Sequence, residues 1–388
     1  MTRRAIVIVL DGVGIGAAHD AADYGDAGSH TLGHVAEAVG GLQLPTLESL
    51  GLGKVTPLAG MHDGGDSRGA YGAMQPASRG KDSTAGHWEL CGVHLARPFP
   101  TYPHGFPLEV VAEFERLTGR RVIGNVVGSG TDVIATYGAS HQETGAWILY
   151  TSADSVFQVA AHEEVVSLHE LYGACAIARQ MLSGPHDVSR VIARPFVGSA
   201  GHYTRTPNRR DFSLPPTAET LIDALAAAGV PRWGVGKVDD LFAGRGISAE
   251  HTRDNADGIA RIRAWIRGNS VGFLFANLVD FDQLFGHRND VSGFYGALRQ
   301  FDEALPTLLS ALREDDLLFI TADHGNDPTT PSTDHARERV PVLVAGACVR
   351  PVDLGERATY ADLGATVAEW LGNQYRGRGT SFLAAVLG

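Results

Sequence analysis

Four short stretches of nearly unbroken apolar residues govern what this chain can fold into: 5–10, 272–279, 317–322 and 340–345. Runs of this length without polar alternation read as strands covered on both faces, the usual state of a parallel sheet. Helical periodicity lies around them. Ile259, Ile262, Trp265 and Ile266 share one face, and Leu363, Val367, Trp370 and Leu371 share another, closed by Gly372. After Pro215-Pro216, Thr217 is the expected N-cap for a helix through Leu221 and Leu225 to Gly229. Alternating strands and helices predict an α/β core with a largely parallel sheet between helices. The segment from about Phe99 to Leu214 reads differently. It is rich in Pro, Gly and polar turns, and has its own strand patterns at 147–151 and 190–193 and helix patterns at 108–117 and 168–181. It is expected to form a smaller inserted α/β domain, giving the organisation 1–97 (core), 98–216 (insert) and 217–388 (core).

Three of the buried-strand candidates run into acidic residues. The first ends at Asp11, before Gly12-Val13-Gly14-Ile15-Gly16. The second ends at Asp280-Phe281-Asp282, with His287 following. The third ends at Asp323-His324-Gly325, with His335 further on. Ligands of open α/β sheets bind beyond the carboxyl ends of the strands, so these residues gather along one edge. A single Asp at a strand end is more often a turn or cap residue, and most of the 16 histidines are ordinary. The glycines after Asp11 follow GxGxG rather than the dinucleotide spacing GxGxxG. Recurrence of Asp, or Asp with His, at one topological place is what points to metal. Three or four carboxylates and three imidazoles are enough for two divalent ions, and the mixture suits Mn²⁺ or Zn²⁺ better than Mg²⁺ or Ca²⁺. Two such ions about 4 Å apart clamp the attacking and leaving oxygens of an in-line phosphoryl displacement.

That chemistry calls for a hydroxyl, and 78–89 offers two, Ser83 and Thr84, in a glycine-bounded stretch able to open a helix toward a phosphate. The competing reading is a plain helix cap, Ser83 or Thr84 bonding Gly86 or His87.

The net charge of −12 argues against a generic nucleic-acid or anionic-membrane binder. It leaves room for a phosphorylated small molecule held by local Arg, Lys and metal. Three cysteines, Cys91, Cys175 and Cys348, make no disulfide framework and indicate a reducing, cytoplasmic setting. The apolar start is cut by Asp11 with no small-residue cleavage site after it, so it reads as a buried strand rather than a signal peptide. No stretch approaches the roughly 20 apolar residues needed to cross a bilayer.

Long motifs now add a resemblance. They include Asp11-Gly-Val-Gly-Ile-Gly, Ser29-His30-Thr31-Leu32-Gly33-His34, Lys81-Asp82-Ser83-Thr84-Ala85-Gly86-His87-Trp88-Glu89 and Tyr150-Thr151-Ser152-Ala153-Asp154-Ser155. Ala160-Ala161-His162-Glu163-Glu164, Ile192-Ala193-Arg194-Pro195-Phe196-Val197-Gly198 and Thr204-Arg205-Thr206-Pro207-Asn208-Arg209 follow. Asn277-Leu278-Val279-Asp280-Phe281-Asp282, Gly286-His287-Arg288 and Thr321-Ala322-Asp323-His324-Gly325-Asn326-Asp327 complete the set. Over essentially its whole length the chain resembles the bacterial phosphopentomutase family of the alkaline-phosphatase superfamily.

The resemblance implies an alkaline-phosphatase-like core with an inserted cap domain. It implies an isomerase of nucleoside metabolism that interconverts (deoxy)ribose 1-phosphate and 5-phosphate through a phosphoenzyme and a bisphosphorylated sugar. Asp282, His287 and His335 would ligate one metal, and Asp11, Asp323 and His324 the other, with Asp280 structural or in a supporting layer. Ser83 would be the bridging phosphoryl acceptor, with Thr84 second. Asp154 would grip sugar hydroxyls, while Arg190, Arg205 and Lys237 would lie near the substrate phosphate, in the cleft between the domains. The implied cofactors are two Mn²⁺ ions and a sugar bisphosphate activator, and the partner is a small-molecule sugar phosphate.

Three positions depart from the family pattern. Ser83 stands for the usual Thr, Ala85 for a second hydroxyl residue, and Val126 for a common Lys. They keep two alternatives open: a metal-dependent phosphatase or mutase of another sugar phosphate, and a non-catalytic metal- or sugar-phosphate-binding protein.

Overall fold

The first apolar run forms strand β1 (Arg4–Leu10), with all seven residues buried. The computed structural model describes residues 3–152 and 154–387; Met1, Thr2, Ala153 and Gly388 lie outside the described residues. With strands numbered along the whole chain, β1 pairs in parallel with β11 (Gly272–Leu278) on one side and β12 (Asp316–Thr321) on the other. Around this centre lie β2 (Ala70–Met74), β9 (Arg232–Val235), β10 (Ala249–Glu250), β13 (Val340–Ala345) and β14 (Val352–Arg357), in the order β10-β9-β11-β1-β12-β13-β2-β14. β9 and β10 extend the parallel half.

The run 340–345 is fully buried, but its direction departs from a parallel arrangement: β13 lies antiparallel to both β12 and β2. A parallel partner needs a crossover connection, and no helix separates β12 from β13. The intervening loop returns directly and carries His335.

Arg4 and Asp316, register partners at the start of β1 and β12, are completely buried. Arg4 Nε donates to Asp316 Oδ1 at 2.7 Å, and Nη1 donates to the Ile266 carbonyl at 2.8 Å. A buried pair of this kind fixes strand register at the sheet end opposite the acidic residues.

The helix after the double proline spans Leu221–Ala227 and is capped by Thr220, not Thr217. Thr220 Oγ1 accepts from the Asp223 amide and the Asp223 carboxylate accepts from the Thr220 amide. Only a residue three before an acidic side chain can make this reciprocal box, and Thr217 lacks one. No helix among the described residues is long and apolar enough to cross a membrane.

By contacts the chain divides into two units, one running to Pro98 and resuming at Pro216, the other Phe99–Pro215. The smaller has its own sheet of β3 (Val122–Val127), β4 (Trp147–Thr151), β5 (Val156–His162), β6 (Arg190–Val197), β7 (Thr204–Arg205) and β8 (Arg210–Ser213). The order is β3-β4-β5-β6-β7, with β8 also pairing β6. Phe114 of helix Leu108–Thr118 and Leu171 and Ala178 of helix Leu168–Met181 pack with Phe157 and Val159. Val133 and Ile134 of helix Gly130–Thr144 pack with Ile148 and Tyr150.

Candidate active site

The acids that follow β1, β11 and β12, namely Asp11, Asp282 and Asp323, come to one place in the larger unit. Asp11 follows β1, its amide bonded to the Leu278 carbonyl of the neighbouring strand. Gly12 then turns with φ +77°, where a Cβ would sit 3.0 Å from Asn326 Cβ and 3.5 Å from Asp282 Oδ1. A side chain there would intrude on the site, and the left-handed backbone also favours glycine. After β11 the chain winds through a π-helical turn, Phe281–Phe285, and a 3₁₀ turn, Gly286–Arg288, which carry Asp282 and His287. Such wide turns recur at functional sites. Asp323 and His324 follow β12, and a two-residue antiparallel bridge between Gly325 and Ala336 sets His335 beside them. The His324 and His335 ring centres are 4.2 Å apart, and those of His287 and His335 4.8 Å.

The ligand-type atoms form two overlapping triads. Asp282, His287 and His335 make one, and Asp11, Asp282 and His324 the other, each with its three atoms within 4.8 Å of one another. Asp282 belongs to both. Its Oδ2 lies 3.2 Å from His287 Nε2 and its Oδ1 3.4 Å from His335 Nε2. His324 Nε2 is 3.3 Å from Asp11 Oδ1 and 3.5 Å from Asp323 Oδ2. Asp280 stands apart, its Oδ2 accepting from the Asn255 amide at 2.7 Å.

The donor set fits divalent cations. The other ring nitrogen of His287 lies 2.6 Å from the Thr333 carbonyl, and that of His324 lies 3.0 Å from the Gly325 carbonyl. With Nδ1–H used in this way, each ring turns Nε2 toward a carboxylate, a contact that needs a proton or a metal cation between the two. Asp323 Oδ2 is wholly buried, 3.0 Å from His87 Nδ1, yet accepts no aligned hydrogen bond.

The acid–base balance tells the same story. Burial, followed by the charges of Asp323 and Asp282, pushes the Asp11 carboxyl up. Burial opposes a charge on His324, but Asp323, Asp11 and Asp282 outweigh it and hold the imidazole well above its ordinary range. Burial would raise Asp282 as well; His335 and His287 overcome it and hold the carboxyl well down. Clustered carboxylates demand positive charge, from protons or from metal.

A second layer, not singled out from the sequence, orients these groups. Asn277 Nδ2 donates to Asp11 Oδ2 at 2.9 Å, Asn326 Nδ2 to Asp282 Oδ1 at 2.6 Å, and the Gly12 amide to Asp323 Oδ1 at 3.1 Å. The available signal was a polar residue inside an apolar strand run, since Asn277 is buried in β11.

Ser83 opens helix Ser83–Leu90. The cap is neither Ser83 nor Thr84 but Asp82, whose Oδ1 accepts from the Ala85 amide at 3.1 Å. The Ser83 hydroxyl is therefore free to face the site, with Oγ 3.3 Å from Asp11 Oδ1 and 3.1 Å from His324 Nε2. Thr84 is buried in the same helix.

The remaining predicted residues divide between the two units. Lys237 caps the short helix Val238–Leu241 in the larger unit, its Nζ donating to Gln283 Oε1. In the smaller unit Asp154 precedes β5 and is half-buried, and Arg190 begins β6 with Nη1 3.8 Å from Asp211 Oδ2. Arg205 lies on β7, exposed, with Nη1 3.5 Å from where a Cβ on Gly130 would lie, at the start of helix Gly130–Thr144. Arg190, Arg194 and Arg209 all act on the single carboxylate of Asp211.

Comparison with known proteins agrees with this geometry. Residues 220–375 match the family model described as the Metalloenzyme superfamily. A phosphopentomutase of Carboxydothermus hydrogenoformans is 53% identical over 382 residues, spanning 98% of each chain. One of Acetivibrio thermocellus is 51% identical over 387 residues, spanning 99% of this chain and all of its own. Among solved structures, a phosphoglycerate mutase of Leishmania mexicana aligns over 97% of this chain and 96% of its own, with TM-score 0.52 and 14% identity, a likeness of fold. The triads and the superfamily match together establish divalent-metal binding. With about half the residues identical from end to end in relatives of matching length, the chain belongs to the phosphopentomutase family.

Proposed function

We propose that the chain interconverts (deoxy)ribose 1-phosphate and (deoxy)ribose 5-phosphate, with Ser83 Oγ as the phosphoryl carrier. The observation that carries this reading is the Ser83 hydroxyl, released from capping by Asp82 and set against Asp11 and His324.

Asp282, His287 and His335 are assigned to one cation, and Asp11, Asp323 and His324 to the other, with Asp282 near enough to the second to share it. Mn²⁺ suits this mixture of carboxylate and imidazole. When bound, the ions supply Lewis-acid stabilisation of the charge on the transferring group. A sugar hydroxyl attacks the phosphoryl group on Ser83; the Ser83 O–P bond breaks as the sugar O–P bond forms. The proton given up by the sugar hydroxyl balances the one Ser83 Oγ regains. The bisphosphorylated sugar then turns and returns its other phosphoryl group to Ser83. A sugar bisphosphate serves as activator by loading Ser83 for the first turnover. Asp154 is assigned to the sugar hydroxyls, and Arg190, Arg205 and Lys237 to the substrate phosphate. Support for Arg190 comes from the gathering of guanidinium groups around Asp211, and for Arg205 from its place beside Arg194 in the same basic cluster. All three cysteines are free, in keeping with a cytoplasmic setting.

Incubation with Mn²⁺ and ribose 5-phosphate tests the reading. Ribose 1-phosphate without free phosphate is the expected result. Free phosphate alone would instead favour the second reading, a phosphatase or a mutase of another sugar, which the departures at Ser83, Ala85 and Val126 motivate. Neither product, in protein shown to hold metal, would refute the pentose assignment.

A further inference from the structure

The segment before Ser83 contains three carbonyl groups, of Pro76, Ser78 and Gly80, that converge on one side chain. Arg337 Nη1 donates to the Ser78 and Gly80 carbonyls at 2.6 Å each, and Nη2 donates to that of Pro76 at 2.9 Å. Nε and Nη2 also grip Asp20 through both carboxylate oxygens at 3.0 Å. The side chain is 1% exposed, and its guanidinium lies 4.7 Å from the centre of the Tyr24 ring. A planar fork with five donors can satisfy all of these acceptors at once; a lysine ammonium cannot.

The backbone of Arg337 is held as firmly. Its amide donates to Asp26 Oδ2 at 2.8 Å, and Lys81 Nζ lies 3.1 Å from the same oxygen. Arg337 follows His335 by two residues, and the intervening Ala336 bridges to Gly325, next to His324. Arg337 thus joins two segments that meet at the reacting centre: 76–82, which ends where Ser83 begins, and 335–337, which carries His335. Nothing in the proposed chemistry uses its charge directly.

We propose that Arg337 is a positioning residue for phosphoryl transfer, fixing where Ser83 Oγ stands relative to His324 and His335. The inference rests on the assignment of Ser83 as phosphoryl carrier. Misplacement of reacting groups by about 1 Å costs on the order of 100-fold in rate.

The test uses the full, Mn²⁺-loaded chain and three measurements: kcat and KM for ribose 5-phosphate, the rate of phosphoserine formation from a sugar bisphosphate, and bound metal. Arg337→Lys is expected to lower kcat and phosphoserine formation together by about 100-fold, with KM and metal content near wild type. Asp20→Asn, which removes the carboxylate but leaves an amide oxygen and the three backbone carbonyls to accept from the guanidinium, is expected to lower both by about 10-fold. It carries the test alone if Arg337→Lys does not fold. A purely structural role would reduce thermal stability while leaving kcat per folded, metal-loaded molecule unchanged; that result in either variant overturns the proposal, as does a loss confined to KM. Wild-type protein that turns over without phosphorylating Ser83 would overturn the underlying assignment, and this inference with it.

Discussion

Gly86 lies one turn beyond Ser83, where the helix Ser83–Leu90 passes directly over the backbone of Asp323. A Cβ added at Gly86 would fall 2.1 Å from the Asp323 carbonyl oxygen and 2.8 Å from both its carbonyl carbon and its Cβ. These obstacles are mostly backbone and belong to a residue anchored at the end of β12, so the helix must give way, by roughly 1 Å to restore ordinary contact. Helix propensity alone favours alanine over glycine by about 1 kcal/mol. Overpacking a close contact costs about 1–3 kcal/mol, so Gly86→Ala is expected to be net destabilising by up to about 2 kcal/mol. The helix shift moves Ser83 Oγ away from its 3.1 Å approach to His324 Nε2, and a displacement of that size lowers turnover about 100-fold.

The matched control is Gly296→Ala in helix Val291–Leu309, where an added Cβ meets nothing within 4 Å. It is expected to stabilise by about 0.5–1 kcal/mol with unchanged turnover. Urea unfolding and steady-state conversion of ribose 5-phosphate measure both arms. A Gly86→Ala variant as stable and active as the Gly296→Ala variant would refute the reasoning, because helix propensity would then have outweighed the contact with Asp323.

Three further outcomes follow from the same geometry. Ser83→Ala is expected to abolish phosphoenzyme and cut turnover at least about 1,000-fold with metal content near normal, whereas Thr84→Ala keeps its phosphoenzyme; the reverse pattern by phosphopeptide mapping would move the carrier to Thr84. Chelation is expected to lower the melting temperature and Mn²⁺ to restore it, since a ligand at about 1,000 times its Kd stabilises by about 4 kcal/mol; Asp282→Asn, changing the carboxylate common to both triads, should lose most of that increment, and a full Mn²⁺ shift in this variant would contradict the assignment. At Asp211, burial pushes the carboxyl up, but the Arg209 pair, with Arg190 and Arg194, outweighs it and holds the carboxyl below its ordinary value of 3.8. A lowered acid stabilises the fold above that ordinary value and ceases to do so as pH falls through the folded one. Asp211→Asn should therefore cost about 1–3 kcal/mol at neutral pH, with the gap to wild type closing below about pH 4; a constant gap by urea unfolding from pH 7 to 3 would exclude the effect.

What could be read from the sequence followed from properties that need no knowledge of neighbours. An unbroken apolar run means burial on both faces, and an acid at its carboxyl end marks the sheet edge where ligands bind. That was enough to gather Asp11, Asp282 and Asp323 from positions far apart in the chain. What stayed hidden depended on pairing. Asn277 orients Asp11 because β11 lies beside β1 with Val9 opposite Asn277, a register that the composition of neither strand declares. Asp82, Ser83 and Thr84 are all good capping residues in succession, so the local pattern cannot choose which one starts the helix. The structure spends Asp82 on the Ala85 amide, which leaves the serine hydroxyl to face the site. The direction of β13 was hidden for a similar reason: apolar content reports burial, while orientation follows from the loop that carries His335.

Asp82 and Arg337 bear on how the Ser83 hydroxyl can stand beside Asp11 and His324 without being captured by its own helix. An N-terminal serine would ordinarily satisfy an exposed amide of the first turn. Here the carboxylate of Asp82 takes the Ala85 amide, while the preceding backbone is tied by its carbonyls to Arg337. Contacts thus hold the chain on both sides of Ser83, through Asp82 at the helix start and Arg337 before it. Burial, and after it the nearness of Asp323 and Asp282, raises the proton affinity of Asp11. The fold sustains that crowding because rigid neighbours, Asn277, Asn326 and the Gly12 amide, aim each carboxylate inward. Such preorganisation is costly to the metal-free protein and favourable to the metal-bound one, and so metal affinity, stability and the placement of the reacting oxygen are aspects of a single arrangement.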